Sequence, residues 1–400
     1  MAGAVPDPPA VTGESADRWR AVRGALTAHR YELGRVAARL YPELPRAASA
    51  DLLCREEWVP AVPLGLDDLA LHWDDGGPGQ QGYSGNRDGA RAGTERYAEA
   101  SREVRPERPD GGRYRSYTEA VAALDRPALF ENRPCYRLLN ARLTAPPGLR
   151  LGETSYFEGI DLGHAVAHEL AAAWERSGDA VRMADLPLRS LAGDPCALPR
   201  RQSLIAVTTL TLRRDAAGAA SFVLHWRDPA KVNHGGGLYQ VMPVGLFQPV
   251  TAAAAALRHD LSLWKSMARE YSEEFLGTSE DYQTSGGLLD YDGWPFYRQL
   301  TGAMRAGRLS VHCLGLGVDP LSFATDLLAV AVFDADLFDA EFAGLVARNA
   351  EGRVITGSGS AGIPFTADTI ARLTSGGEPF QAAGAALLRL AWEHRKHLLG

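Results

Sequence analysis

A change in hydrophobic periodicity near residue 200 divides this chain into two regions. Before it, apolar residues recur at spacings of three and four, which is the pattern of amphipathic helices, most clearly over 19–40 and 161–176. After it, SLIAVTTLTLR at 203–213 is rich in β-branched residues, and a turn-like stretch and a second apolar run follow. We therefore predict a mainly helical N-terminal region over 16–200. Over 201–397 we predict an α/β (α+β) domain with a mixed β-sheet sandwiched by helices.

Two segments lack the large apolar residues that a folded core needs. Residues 1–15 are rich in Pro, Ala and Gly, and residues 75–115 are dense in Gly, Pro and charge and contain no Leu, Ile, Phe or Trp. Such composition cannot offset the entropy of ordering the chain. We expect a disordered tail over 1–15 and a flexible loop over 75–115.

Composition and charge exclude several classes of protein. The net charge of −7 gives no overall attraction to nucleic acid or anionic lipid. No apolar run reaches the length of a membrane span, and the N-terminus lacks the pattern of a signal peptide. The four widely spaced cysteines form no CxxC pair, which argues against a disulfide framework or structural zinc. We expect a cytoplasmic protein with no membrane partner.

The first predicted helix carries many arginines opposite its apolar seam. A basic helix of this kind more often packs through its apolar face and exposes its charged face to solvent than binds nucleic acid. No second helix follows across a short glycine-containing turn, so a helix-turn-helix is not visible. The sequence therefore argues against direct nucleic-acid binding.

The segment most informative about chemistry is REYSEEFLG, at 269–277, near the end of a helix predicted over 257–276. On a helix, Glu270, Glu273 and Glu274 share one face. Three neighbouring anions repel one another unless a cation lies among them, and oxygen ligands suit Mg²⁺ or Mn²⁺. By itself, however, such a triplet is more often a solvated helix face.

Arg269, Glu270, Tyr271, Ser272, Glu273 and Glu274 together resemble the core of the Nudix box, in which Arg-Glu, an apolar residue, any residue and Glu-Glu precede a Gly. The strands before this segment, and the later strand and Pro-Phe-helix stretch at 363–373, occur in the order of that family's fold. The resemblance covers about half of the chain. It implies a Nudix-like domain in which these three glutamates are both the metal ligands and the catalytic residues.

The match to the family pattern is incomplete. The family has a Glu eight residues before the Arg and a Gly fourteen before it, where this chain has Leu261 and Ala255. Gly245, the nearest candidate for the family's glycine loop, lies 24 residues before Arg269, which implies an insertion of about ten residues spanning 248–258. The closing glycine is displaced by one position to Gly277. We therefore expect metal binding to be better retained than efficient turnover.

If the domain is active, the resemblance implies Mg²⁺- or Mn²⁺-dependent hydrolysis of a nucleoside diphosphate linked to another group. Among candidate ligand contacts, Arg227 would bind phosphate, Gly245 would belong to the glycine loop, and Tyr239 or Phe247 would stack on a base. A residue such as Arg227 more often forms a surface ion pair. Aromatic residues such as Tyr239 and Phe247 more often belong to the hydrophobic core.

Two hypotheses remain. In the first, the protein is a divergent Nudix-type hydrolase whose N-terminal region helps to recognise the substrate or forms a homodimer. The second rests on ENRPCYRLL and LWKSMAREYSEEFLG, which resemble a bacterial family usually labelled helix-turn-helix regulators with a Nudix-like C-terminal part. That resemblance implies a catalytically silent regulator that senses a small nucleotide-type ligand.

One further pair was considered as a metal site. His164 and His168 are one helical turn apart with Glu169 adjacent, which resembles half a zinc site. The sequence HAVAHE is not HExxH, and no third ligand is evident. We therefore expect a histidine pair packed at an interface.

Overall fold

The long strands after residue 200 form the centre of the molecule. The computed structural model describes residues 11–74, 96–128, 130–228, 236–278, 284–285, 287–347, 349, 352–356 and 362–400. Its strands are β1 (Leu64–Gly65), β2 (Ala70–Trp73), β3 (Pro134–Arg142), β4 (Gly148–Ser155), β5 (Ile205–Arg214), β6 (Ala220–Phe222), β7 (Leu224–Arg227), β8 (Tyr239–Val241), β9 (Val244–Leu246), β10 (Thr284–Ser285), β11 (Leu288–Leu289), β12 (Leu309–Val318), β13 (Thr325–Asp334), β14 (Gly352–Ile355) and β15 (Ile363–Pro364).

Helices surround these strands, so the fold is α+β. The helices are α1 (Val11–Ala28), α2 (Arg30–Arg39), α3 (Tyr117–Leu124), α4 (Tyr156–Ser177), α5 (Pro187–Ala192), α6 (Ala254–His259), α7 (Leu263–Leu276), α8 (Pro295–Arg305), α9 (Ala335–Glu341), α10 (Ala367–Thr374), α11 (Ala382–Glu393) and α12 (Arg395–Leu399). Within the described ranges, none is both long and apolar enough to cross a membrane.

The largest sheet among the described residues is mixed, as predicted. Its order is β1-β12-β13-β5-β6-β15, and β9 also pairs with β5. Strands β5 and β13 run parallel, whereas β12 with β13 and β9 with β5 are antiparallel. Both parallel strands are buried along most of their length, which is typical of strands covered on both faces.

Helices cover both faces of this sheet, which confirms the predicted sandwich. On one face Tyr271 of α7 contacts Thr211 of β5 and the ring of Phe333 in β13. On the other face Leu390 of α11 lies near Leu328 of β13. Because side chains alternate along a strand, these contacts fix which side of the sheet each helix occupies.

The helix that carries the acidic residues is shorter than predicted. The expected helix over 257–276 is interrupted after His259, and Ser262 caps the start of α7 by accepting a hydrogen bond from the Lys265 N–H. At the other end α7 stops at Gly277, as expected, with a left-handed φ of 69°. The interruption leaves the Asp260 side chain outside the helix, where it can bond elsewhere.

The N-terminal region contains more strand than predicted. One helix was expected over 19–40, but the chain breaks at His29 into α1 and α2. Strands β2, β4 and β3 form a separate three-stranded sheet. Its strand β3 contacts the C-terminal half through the Leu138 N–H, which donates to Ser203 O at 2.8 Å.

The hydrophobic core is continuous across residue 200. Strand β1, from the N-terminal region, pairs with β12 at the edge of the large sheet. Buried residues from both sides of residue 200, such as Leu151 and Leu210, belong to one apolar cluster. Part of each segment expected to be flexible lies outside the described residues, namely 1–10 and 75–95. Helix α1 begins at Val11, and residues 96–100 are helical.

Candidate functional site

A cleft of about 330 Å³ opens where α7, β9 and the start of β13 meet the first half of α4. Tyr156, Ile160 and His164 recur along α4 at helical spacing and line one side. The cleft combines carboxylates, guanidinium groups and aromatic rings, a composition suited to a charged ligand with an apolar part. Of the metal ligands and ligand contacts predicted from the Nudix resemblance, the cleft lining includes Arg227, Gly245, Glu270 and Glu273.

Glu270 and Glu273 are both partly buried and both line this cleft. They lie three residues apart on α7, so they belong to one helix face. Glu270 packs against β9: a Cβ atom added to Gly245 would overlap the Glu270 carboxyl group. The glycine at 245 is therefore needed for this carboxylate to approach the backbone so closely.

Glu274 has a different environment. It is 4% exposed, and its Oε1 accepts a hydrogen bond from the Val244 N–H at 3.0 Å. Its Oε2 lies 3.9 Å from Nδ1 of the buried His225. Two of the three predicted metal ligands therefore face the cleft, and the third attaches α7 to the start of β9.

Arg269 holds α7 in the rotation that presents Glu270 and Glu273. Its guanidinium is buried, lies 3.7 Å from Asp260 Oδ2, and donates to Gln248 O at 2.7 Å and to Tyr291 OH at 3.1 Å. The Tyr291 hydroxyl in turn donates to Asp260 Oδ1 at 3.1 Å. Asp260 thus pairs with Arg269 although it lies nine residues earlier in the chain. The next residue, Leu261, occupies the position where the Nudix pattern has a Glu.

The residues predicted to contact a ligand separate into two groups. Arg227 is 8% exposed and, like Gly245, lines the cleft. Phe247 is 1% exposed, with its ring centroid 4.4 Å from that of Tyr136, so it is a core residue. Tyr239 packs beside Phe380 and is absent from the cleft lining. The stacking role predicted for these two aromatic residues does not fit their positions.

Other aromatic rings line the cleft instead, among them Phe323. Its φ is 59°, a left-handed conformation that is costly for a bulky residue. Arg201 stabilises it by donating to Phe323 O at 2.8 Å, and both Arg201 and Arg189 place guanidinium groups within 6 Å of the ring centroid. This strained residue ends the turn from which β13 begins.

Asp326, the second residue of β13, lines the same cleft and was not predicted as a site residue. It is 7% exposed, and its Oδ1 accepts a hydrogen bond from Thr208 Oγ1 at 2.7 Å. Burial raises its pKa to about 6; Asp319 acts in the same direction, whereas the Thr208 hydrogen bond and the Arg227 charge oppose the rise. The sequence feature that could have indicated Asp326 as a site residue is its position at the start of an apolar strand.

One of the two histidines on α4, His168, has a structural role. His168 is buried, its Nδ1 lies 3.0 Å from Tyr117 OH, and burial lowers its pKa to about 3. Glu169 accepts from the backbone N–H groups of Leu188 and Arg189, capping α5. This arrangement agrees with packing at an interface; His164 alone lines the cleft.

Within the described part of the chain, no three His, Cys, Asp or Glu side chains are grouped so that they could hold a metal ion. Glu270 and Glu273 provide two carboxylates at the cleft. Two carboxylates are compatible with Mg²⁺, which commonly takes one or two from the protein and completes its shell with waters and substrate phosphates.

Comparisons with known proteins do not assign a family. No protein-family model matches this chain, and no curated protein gives a significant match.

Proposed function

We propose that this protein is a divergent Nudix-type hydrolase that cleaves a nucleoside diphosphate derivative with the help of Mg²⁺ or Mn²⁺. One observation supports this most strongly: Arg227 and Gly245, predicted ligand contacts distant in sequence from the motif helix, line the same cleft as the motif residues Glu270 and Glu273. The cleft has both the carboxylates that a hard cation prefers and the guanidinium groups that bind phosphate.

Each group has a distinct role in this proposal. Glu270 and Glu273 would hold the cation, which supplies charge neutralisation at the diphosphate and acidifies a bound water. Arg227 would pair with a phosphate oxygen. Phe323, with Phe130 and Tyr156, offers apolar surface for the base in place of Tyr239 and Phe247. Arg269 and Asp260 would act only by orienting α7.

The second candidate is a catalytically silent sensor of the same ligand class. It is favoured by Glu274, whose carboxylate is buried and bonded to the Val244 N–H instead of lining the cleft. With two of the three motif glutamates at the cleft, binding of a metal-nucleotide complex is easier to support than rapid hydrolysis.

The decisive experiment compares Glu270→Gln/Glu273→Gln with wild type in a panel of nucleoside diphosphate derivatives containing Mg²⁺ or Mn²⁺. Cleavage of the diphosphate yields two phosphomonoesters, and an added phosphatase converts this cleavage into a release of phosphate. We expect wild type to show a metal-dependent rise in melting temperature and this phosphate release, and the double variant to lose both, because the amides keep the shape but not the charge. Glu274→Gln is the matched control and should keep the metal response.

The outcomes separate the candidates. Metal-dependent stabilisation without release of phosphate selects the sensor. If the double variant responds to metal and ligand as wild type does, the proposed site is wrong.

Gly245→Ala is expected to abolish the metal response at little cost in stability. The added methyl group would displace the Glu270 carboxyl group, which is the end of a flexible side chain, so the backbone need not move. We expect a loss of about 1 kcal/mol or less. Thermal melting with and without Mn²⁺ tests this, with Gly302→Ala, where a Cβ meets nothing within 4 Å, as the control. Retention of the full Mn²⁺ effect would contradict it.

A further inference from the structure

We propose that Asp326 is the base that takes the proton from the attacking water in the proposed hydrolysis, and that Thr208 positions it. This inference rests on the proposed function and adds to it a residue outside the helix that carries the glutamates. The step would use only the ligand and water. As the water oxygen bonds to phosphorus, its proton passes to Asp326, and the phosphorus–bridging oxygen bond breaks with its electron pair going to the leaving phosphate.

The position of Asp326 is the first support. It lies at the end of the sheet where β9 brings Gly245 alongside β5, and its side chain borders the cleft. It also borders a second cavity, of about 230 Å³, enclosed by α2 and the start of α11. Gln381 is likewise shared by both cavities. Asp326 is thus part of the wall between two spaces, where a small ligand group or a water can reach it.

The orientation of the carboxylate is the second support. Thr208 Oγ1 donates to Oδ1 at 2.7 Å, and among the described residues no other hydrogen bond to this side chain is formed. The threonine anchors Oδ1, and in the proposed step Oδ2 takes the proton. A proton acceptor benefits from one oxygen that is held in place, because the other is then fixed in direction.

The surrounding charges act in opposite directions on the pKa of the Asp326 carboxylate. Arg227, from β7, favours its ionised form, whereas Asp319, from the turn before β13, opposes it. Arg30 of α2 lies 3.9 Å from Asp319 and so offsets part of that repulsion. The cleft also contains the two α7 glutamates. A pKa raised by burial to about 6 makes Asp326 a stronger base than an exposed aspartate while leaving it ionised at neutral pH.

Glu270 and Glu274 are less suited to this role. The Glu270 carboxyl group lies against the backbone at Gly245, and Glu274 is directed into the interior toward Val244 and His225. Assigning the base to Asp326 leaves Glu270 and Glu273 to hold the cation. Glu270, Glu273 and Asp326 then each have one task.

The test measures kcat and KM against pH for wild type, Asp326→Asn and Thr208→Val, using the panel compound that wild type hydrolyses fastest with Mg²⁺. Wild type should lose activity below an apparent pKa of about 6. Asp326→Asn should lower kcat by about 10²–10⁴-fold with little change in KM and lose this acidic limb. Thr208→Val should lower kcat less than Asp326→Asn does and should move the limb to higher pH, because it removes a hydrogen bond that orients the carboxylate and favours its ionised form. Circular dichroism and cooperative melting verify that each variant is folded.

The two proposals fail in different ways. If wild type releases phosphate and Asp326→Asn keeps its kcat and pH profile, only the role of Asp326 is overturned. If wild type releases phosphate from no compound, the hydrolase proposal is overturned, and the assignment of Asp326 as its base with it.

Discussion

Replacing Arg189 by methionine is expected to destabilise the fold by about 3–5 kcal/mol. The side chain is fully buried, and its guanidinium donates to the backbone oxygens of Pro320, Leu321 and Val166 at 2.5, 2.7 and 3.2 Å. Methionine replaces only the aliphatic part of the arginine side chain and would leave these buried carbonyls without their donor. It would also remove the positive charge near Glu169, whose pKa is raised by burial and whose carboxylate the Arg189 charge helps to keep ionised.

The measurement is equilibrium unfolding in urea, with Arg308→Met as the matched control. Arg308 pairs with Asp336 at the surface, where their side chains are 43% and 79% exposed. Such a pair is worth about 1 kcal/mol or less, because water screens it. An Arg189 variant as stable as the control would contradict the assigned role.

The importance of Arg189 extends to the cleft. Pro320 and Leu321 belong to the turn that leads to Phe323 and Asp326, and Arg189 joins this turn to α4 and α5. The same turn contacts α4 at Gly163, where an added Cβ would overlap Ser322 O. Residues before and after 200 therefore form the cleft together, and the N-terminal region is part of its wall.

Local sequence patterns are sufficient to predict the fold class and the long strands. Segments 203–213 and 327–333 are apolar and β-branched, and both are buried strands of the mixed sheet. The small N-terminal sheet is not predictable in the same way. Strands β3 and β4 form a hairpin, but they bury their residues irregularly and so show no clear alternation. The third strand, β2, pairs with β4 from a distant part of the chain.

The candidate site is predictable only in part, for a related reason. Spacing along one helix brings Glu270 and Glu273 together, and the order of elements brings Gly245 close to them. Whether Glu274 faces the same way depends on the Val244 N–H and His225, which belong to other strands. Asp260 and Asp326 likewise gain their roles from tertiary partners.

The ionisation of Asp326 should make the wild-type protein less stable as the pH rises. Its pKa in the folded state is about 6, above its ordinary value of 3.8. Between these values the folded state binds more protons than the unfolded state, so the free energy of unfolding falls with pH through this range. Each tenfold change in an acid constant corresponds to about 1.4 kcal/mol, so the ionised carboxylate costs the fold about 3 kcal/mol near neutral pH.

Asp326→Asn should therefore be more stable than wild type by about 2–3 kcal/mol at pH 8, and equal to it near pH 4. The amide has the shape of the carboxylate and can still accept from Thr208, but it carries no charge to be buried. Urea unfolding from pH 4 to pH 8 tests this, and Asp339→Asn is the control of opposite sign. Its hydrogen bonds with Arg213 lower the pKa of Asp339, so that variant should lose stability at neutral pH and match wild type only in acid. If the free energy of unfolding of Asp326→Asn differs from that of wild type by the same amount at every pH, ionisation of Asp326 does not destabilise the fold. The pKa of this carboxylate would then not be raised, and the physical argument for Asp326 as the base would be lost.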